Sequence, residues 1–172
     1  MGLFDFFRKA AEPAKPEPVS ASWAAGVVCA PVSGNAMQLS ETSDPVFASE
    51  AMGKGVAVAP SGEVVYAPVT GTVSAAMPHA VGLTADDGAE VLVHVGIDTV
   101  EMAGDGLTCL VSQGARVKAG QPIVSFSKSK IAAAGKKDTV FTVVTNSDDY
   151  AEVAPVADGP VEAGSAVVLL TK

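Results

Sequence analysis

Leu83-Thr84-Ala85-Asp86-Asp87-Gly88-Ala89-Glu90-Val91-Leu92-Val93-His94-Val95-Gly96 is the stretch from which the fold can be read. An apolar strand runs to Leu83, the turn-forming Thr84–Gly88 follows, and Glu90–Val95 alternates strictly, so the segment reads as a β-hairpin. Alternation places Val91, Val93 and Val95 on one face, which must be the core, and Glu90, Leu92 and His94 on the other. The chain has two histidines, and the hairpin register decides whether they meet. A two-residue loop at Asp86-Asp87 sets His79 directly opposite His94, with Cβ atoms about 5 Å apart. A loop at Asp87-Gly88 makes the two diagonal neighbours on the same face. A three-residue loop would put them on opposite faces and separate them.

Outward from the hairpin, short apolar runs alternate with Gly, Pro and Asp, and only residues 107–112 show a helical period. This pattern predicts an all-β fold, an antiparallel β-sandwich or flattened β-barrel with short helical turns. Two echoes suggest internal pseudo-symmetry: Ala30-Pro31-Val32-Ser33-Gly34 with Ala67-Pro68-Val69-Thr70-Gly71, and Gly114–Gly120 with Gly159–Gly164. With 172 residues, 48% of them hydrophobic but only 5% aromatic, the chain can build one core, from small and β-branched side chains.

Residues 1–11 carry Leu3, Phe4, Phe7 and Ala11 along one side of a short helix, with Arg8 and Lys9 available to a membrane surface. Glu12–Pro18 is a Pro-rich linker. The expected organisation is therefore an amphipathic segment and linker over 1–22 and a folded domain over 23–172. Apolar runs are interrupted well before the ~20 residues that span a bilayer, and the N-terminus lacks the pattern of a secretory signal, so a cytoplasmic location is expected. A net charge of −8 and an isoelectric point near 4.6, with scattered Lys and Arg, argue against nucleic acid and for a basic protein partner. Cys29 and Cys109 have no metal-type spacing and read as buried thiols.

For a His79–His94 pair the chemistry narrows by exclusion. Two histidines fall short of the three protein ligands of a zinc hydrolase, and no Ser or Cys sits in a nucleophile elbow. What remains is a nucleophilic imidazole that takes a phosphoryl group while the second ring stabilises its oxygens. Following His94, Gly96-Ile97-Asp98-Thr99 supplies a Gly, an acidic group and a turn that Asp98 would cap.

Val91-Leu92-Val93-His94-Val95-Gly96-Ile97-Asp98-Thr99-Val100-Glu101, with Pro78-His79-Ala80 upstream, resembles the glucose-type IIA component of the bacterial phosphoenolpyruvate:sugar phosphotransferase system. The likeness extends through Asp44-Pro45-Val46-Phe47-Ala48, Met52–Pro60, Ala67–Gly71, Gly104–Gly106 and Gly114–Gln121. The resemblance implies a β-sandwich phosphocarrier. Its nucleophile is His94, phosphorylated by the carrier HPr and emptied by the IIB domain of a sugar permease. His79 would stabilise phosphate, and the Gly96 carbonyl would orient the His94 ring. Val46, Phe47, Met52, Leu92 and Val100 would form an apolar rim, with Asp44 and Asp98 facing basic partner residues. Family members also bind permeases or kinases when unphosphorylated, sometimes through an intermolecular zinc held by both histidines. No cofactor of the chain's own is expected. Where the family usually carries Thr two positions before the first histidine this chain has Met77, and its rim has Ala75 and Leu92 at positions often aromatic. Two other readings compete. In one, a lipoyl- or biotinyl-type carrier module would use Lys118; in the other, the fold survives as a regulatory binding protein without transfer.

Overall fold

The computed structural model describes residues 16–172, and the amphipathic reading of residues 1–11 falls outside them. Fourteen strands follow one another along the described residues: β1 (Val27–Cys29), β2 (Gly34–Gln38), β3 (Lys54–Pro60), β4 (Val64–Tyr66), β5 (Gly71–Ala76), β6 (Ala80–Ala85), β7 (Glu90–Val95), β8 (Leu107–Cys109), β9 (Arg116–Val117), β10 (Pro122–Phe126), β11 (Val140–Val144), β12 (Glu152–Pro155), β13 (Gly159–Val161) and β14 (Ala166–Thr171). An eight-stranded sheet in the order β13-β2-β3-β11-β7-β6-β5-β9 is flanked by three-stranded sheets, β1-β14-β12 and β4-β10-β8. All the pairings in these sheets are antiparallel. The all-β sandwich expected from the sequence is the architecture observed.

The main core lies between the sheets and is built chiefly of Val, with Val56, Val58, Val93, Val95 and Val140 all 1% exposed or less. Branched side chains of this size fill pleated interfaces without large rotamer cost. A second, smaller cluster sits on the opposite face of the eight-stranded sheet: Leu39, Phe47, Ala57, Phe141 and Val143, with Met37, Leu92 and Ile97 packed at its edge.

The two sequence echoes are structural equivalents. Gly164 N–H donates to Ala30 O as Gly120 N–H donates to Ala67 O, and Ala30 N–H donates to Ser165 O as Ala67 N–H donates to Gln121 O. Cys29 N–H to Pro68 O and Tyr66 N–H to Pro31 O close the relation reciprocally. The N-terminal segment joins this framework early: Val19 N–H donates to Gly120 O and Ser22 N–H to Gly164 O, so the main chain is already attached within the stretch assigned to the linker.

One expectation is corrected here. Residues 107–109 form β8, pairing with β10, because Leu107 is buried against the core while Thr108 points outward; the period there is that of a strand, not of a helix. The short helices stand elsewhere, at Pro45–Ala48 and Lys128–Ala133. Both carry start signals legible in the sequence: Asp44 caps the first with Pro at its first position, and the Ser127 hydroxyl accepts from Lys130 N–H in the second.

Candidate functional site

Strand β7 splits as alternation requires, with Val91, Val93 and Val95 buried and Glu90, Leu92 and His94 on the other face. The hairpin register differs from both two-residue expectations. Ala80, not His79, stands opposite His94. Gly88 N–H donates to Ala85 O, Ala85 N–H donates to Ala89 O and Gly88 adopts φ +95°, giving a three-residue loop with a Gly in the left-handed position.

By strict alternation that register separates the histidines, yet the rings lie 5.2 Å apart in an edge-on arrangement. The reason is that His79 is not a strand residue. Met77 and Ala80 exchange backbone hydrogen bonds, so Pro78-His79 is the two-residue connection between β5 and β6. A turn residue is free of the pleat and can aim its side chain to either face. The His79 carbonyl, accepting from Val95 N–H at 2.8 Å, ties the turn to β7.

His94 lies in a lateral row across five strands, Met37–Ala57–Phe141–His94–Ala80. Phe47 covers that row, stacked on Phe141 with centroids 4.1 Å apart and tilted against the His94 ring at 5.2 Å. At 5% exposure Phe47 is the support beneath His94 rather than part of an outer rim, which corrects its expected place. It is held there by Asp44, whose Oδ1 accepts from Val46 N–H at 2.9 Å and Phe47 N–H at 3.2 Å.

Val46, Met52 and Val100 are exposed, at 48%, 40% and 61%, and Leu92 is half-buried on the His94 face. Met77, next to the histidine turn, adds a further exposed apolar side chain at 40%. Beyond His94 the same face holds Ala75, Gly82 and Leu92 in one row. Gly82 and Leu92 help line a hollow of about 350 Å³. A larger groove, of about 970 Å³ and lined by Val19, Tyr66 and Val161 among others, contains neither histidine. Both imidazoles are half-buried, with exposed Met77 beside the turn that carries His79, a setting that suits contact with another protein better than enclosure of a small molecule.

His94 Nδ1 lies 2.9 Å from Gly96 O. A carbonyl only accepts, so Nδ1 carries the proton, and in the neutral ring Nε2 keeps its lone pair. Burial, and after it the neighbouring His79, pull the His94 pKa below its ordinary value of 6.5; the Gly96 hydrogen bond and the charges of Asp44 and Asp98 act in the opposite direction without overcoming them. Burial also lowers the pKa of His79. Asp98 starts the 3-10 turn Thr99–Met102 at φ +58°, but its side chain makes no capping bond. The expected Asp98 cap is thus absent, and the exposed carboxylate acts on His94 by charge alone. Among the described residues no group of three or more His, Cys, Asp or Glu is arranged to hold a metal. The two imidazoles would give a zinc ion two ligands and leave the rest to a partner.

Fold and site together define an all-β domain presenting a supported, unprotonated imidazole nitrogen beside a second imidazole on an apolar-edged face. The chain belongs to the family described as phosphoenolpyruvate-dependent sugar phosphotransferase system, EIIA 1, whose model matches residues 26–150. It is 44% identical over 142 residues to the PTS system beta-glucoside-specific EIIBCA component of Dickeya chrysanthemi, covering 81% of this chain and 22% of that protein. With the glucose-specific EIIA component of Staphylococcus aureus (strain COL) it shares 38% identity, over 73% of this chain and 77% of the other. The glucose permease IIA structure from Mycoplasma capricolum superposes with a TM-score of 0.73 at 31% identity, covering 83% of this chain and 93% of that one. The chain thus spans about a quarter of the length of the multi-component relatives it matches.

Proposed function

We propose that this chain is a phosphocarrier of a sugar phosphotransferase system. His94 Nε2 attacks the phosphoryl group of phospho-HPr, forming an N–P bond as the bond to the HPr nitrogen breaks. The reverse displacement, on the IIB domain of a sugar permease, empties the site. The observation that carries this reading is the commitment of His94 Nδ1 to Gly96 O, which leaves one nitrogen free to react and fixes its direction. His79 stabilises the phosphoryl oxygens in transfer. Gly96 orients the ring, and Phe47 with Phe141 supports it.

Val46, Met52, Leu92 and Val100 form the apolar contact that excludes water from the phosphoramidate during handover, with Asp44 and Asp98 meeting basic partner residues. Relatives whose names join B, C and A parts support a B-type domain as acceptor. Among the described residues no helix is long and apolar enough to cross a membrane, and the carrier works in the cytoplasm at a permease. The unphosphorylated pair also offers two imidazoles to a zinc ion completed by a regulated permease or kinase.

Incubation with phosphoenolpyruvate, enzyme I and HPr should add one acid-labile phosphate. His94→Gln should abolish labelling, whereas His79→Gln should accept phosphate and pass it poorly to IIB. Labelling that survives His94→Gln would overturn the assignment.

A further inference from the structure

Thr99 is fully buried, one of two polar side chains so placed among the described residues, and it lies against the backbone that holds His94. Its hydroxyl donates to Val95 O. Its Cγ2 stands 2.2 Å from where a Cβ on Gly96 would be, so the methyl closes directly over the Gly96 Cα. The two peptide units that meet at Gly96 are saturated. In the first, Val95 O accepts from Thr99 and Gly96 N–H donates to Thr139 O at 2.7 Å. In the second, Gly96 O accepts from His94 and Ile97 N–H donates to Lys137 O at 3.0 Å.

Apart from the His94 ring, every partner in this clamp is main chain except Thr99. We propose that Thr99 is a positioning residue for His94, acting through the Val95–Gly96 peptide to set the direction of the Gly96 carbonyl and hence the tautomer and orientation of the His94 ring. The inference rests on the proposed role of His94 as nucleophile.

Gly96 sits at φ +79°, a region a glycine enters and leaves at little cost, so its own conformational preference does not hold the carbonyl in place. Rotation of the Val95–Gly96 peptide would swing the next carbonyl away from Nδ1. The Thr99 hydroxyl opposes that rotation at one end of the peptide and Thr139 O at the other. In the second unit the Lys137 bond polarises the Gly96 carbonyl and strengthens its hold on the Nδ1 proton. With the carbonyl displaced, neither ring nitrogen is preferred for the proton, and part of the population carries it on Nε2, where no attack can occur.

Two substitutions separate the parts of the side chain. Thr99→Val keeps the methyl and removes the hydroxyl, while Thr99→Ser does the reverse. Nitrogen-15 NMR of the imidazoles in unphosphorylated protein should show the Nδ1–H tautomer of His94 in wild type and in Thr99→Ser, and a mixture in Thr99→Val. Transfer from phospho-HPr should fall about tenfold in Thr99→Val, the equivalent of one hydrogen bond, and stay near wild type in Thr99→Ser even where loss of the methyl lowers the melting temperature. If Thr99→Val does not fold, Thr99→Cys, which keeps the bulk with a weak donor, should show the same tautomer mixture. A wild-type tautomer in whichever of Thr99→Val and Thr99→Cys folds would reduce Thr99 to a packing residue and overturn the inference. Because the tautomer is read without phosphate, failure of the carrier reading would show separately, as wild-type protein that accepts none.

Discussion

Replacing Gly96 by Ala tests the clamp around His94 most severely. Two costs add. At φ +79° an alanine is strained by about 1–2 kcal/mol. Its Cβ would also lie 2.2 Å from Thr99 Cγ2 and 2.9 Å from Lys137 O. Carbon atoms need about 3.5 Å, so a fully buried Thr has to retreat by more than ~1 Å into a filled interior, an overpacking cost of about 1–3 kcal/mol. Together these predict destabilisation by roughly 2–5 kcal/mol, read as a lowered urea midpoint by circular dichroism. Gly114→Ala is the internal control, since Gly114 has φ +89° and nothing within 4 Å of the added Cβ; it should show the backbone cost alone. Combining Gly96→Ala with Thr99→Ser removes the closest conflict and should cost less than the two single changes summed. If Gly96→Ala costs no more than Gly114→Ala, the close approach of Thr99 to Gly96 is not what holds the site.

Thr142, 1% exposed with its hydroxyl unpartnered, should accept Val with a gain of about 1 kcal/mol in chemical unfolding, because an unpaired buried hydroxyl is removed at constant shape. Phe47→Ala, which removes the ring stacked on Phe141 and leaning on His94, should cost about 3 kcal/mol and slow phosphate acceptance in stopped-flow assays with phospho-HPr. The pH dependence follows from His94. Its folded pKa lies below 6.5, so the native chain binds fewer protons than the unfolded chain in that interval; stability is complete above about 6.5 and declines as pH falls towards the folded value, by about 1.4 kcal/mol for each pH unit crossed between the two. His94→Gln should reduce that decline in pH-dependent unfolding, leaving the part that the lowered pKa of His79 contributes, and an unchanged decline would show that the His94 ring is not depressed.

The hairpin, the two faces of β7 and the all-β class are legible in the sequence because each rests on strict alternation, a signal confined to a few residues. Register is less legible. Asp86-Asp87-Gly88 accommodates two- and three-residue loops alike, and the choice depends on Gly88 adopting a positive φ and on the pairing of Ala85 with Ala89. The histidines meet for a reason alternation cannot express, since Pro78-His79 is itself a turn. Pro beside His at a strand end is a signal that could have found it. The short segment after Asp44-Pro45 gives no face to Phe47, so its expected place in the rim rests on the family resemblance; its stacking on Phe141, far along the chain, shows that it is buried. Thr99 lies within the quoted motif but carries no signal of its own, because its partners are backbone groups of Val95 and Gly96.

The central claim is that Gly96 O holds the Nδ1 proton of His94 and so directs chemistry to Nε2. Phosphorus and nitrogen-15 NMR of the protein phosphorylated by HPr measures this directly. The geometry predicts a single phosphohistidine, at Nε2 of His94, with Nδ1 still protonated. Phosphate on Nδ1 of His94, or on His79, would contradict it.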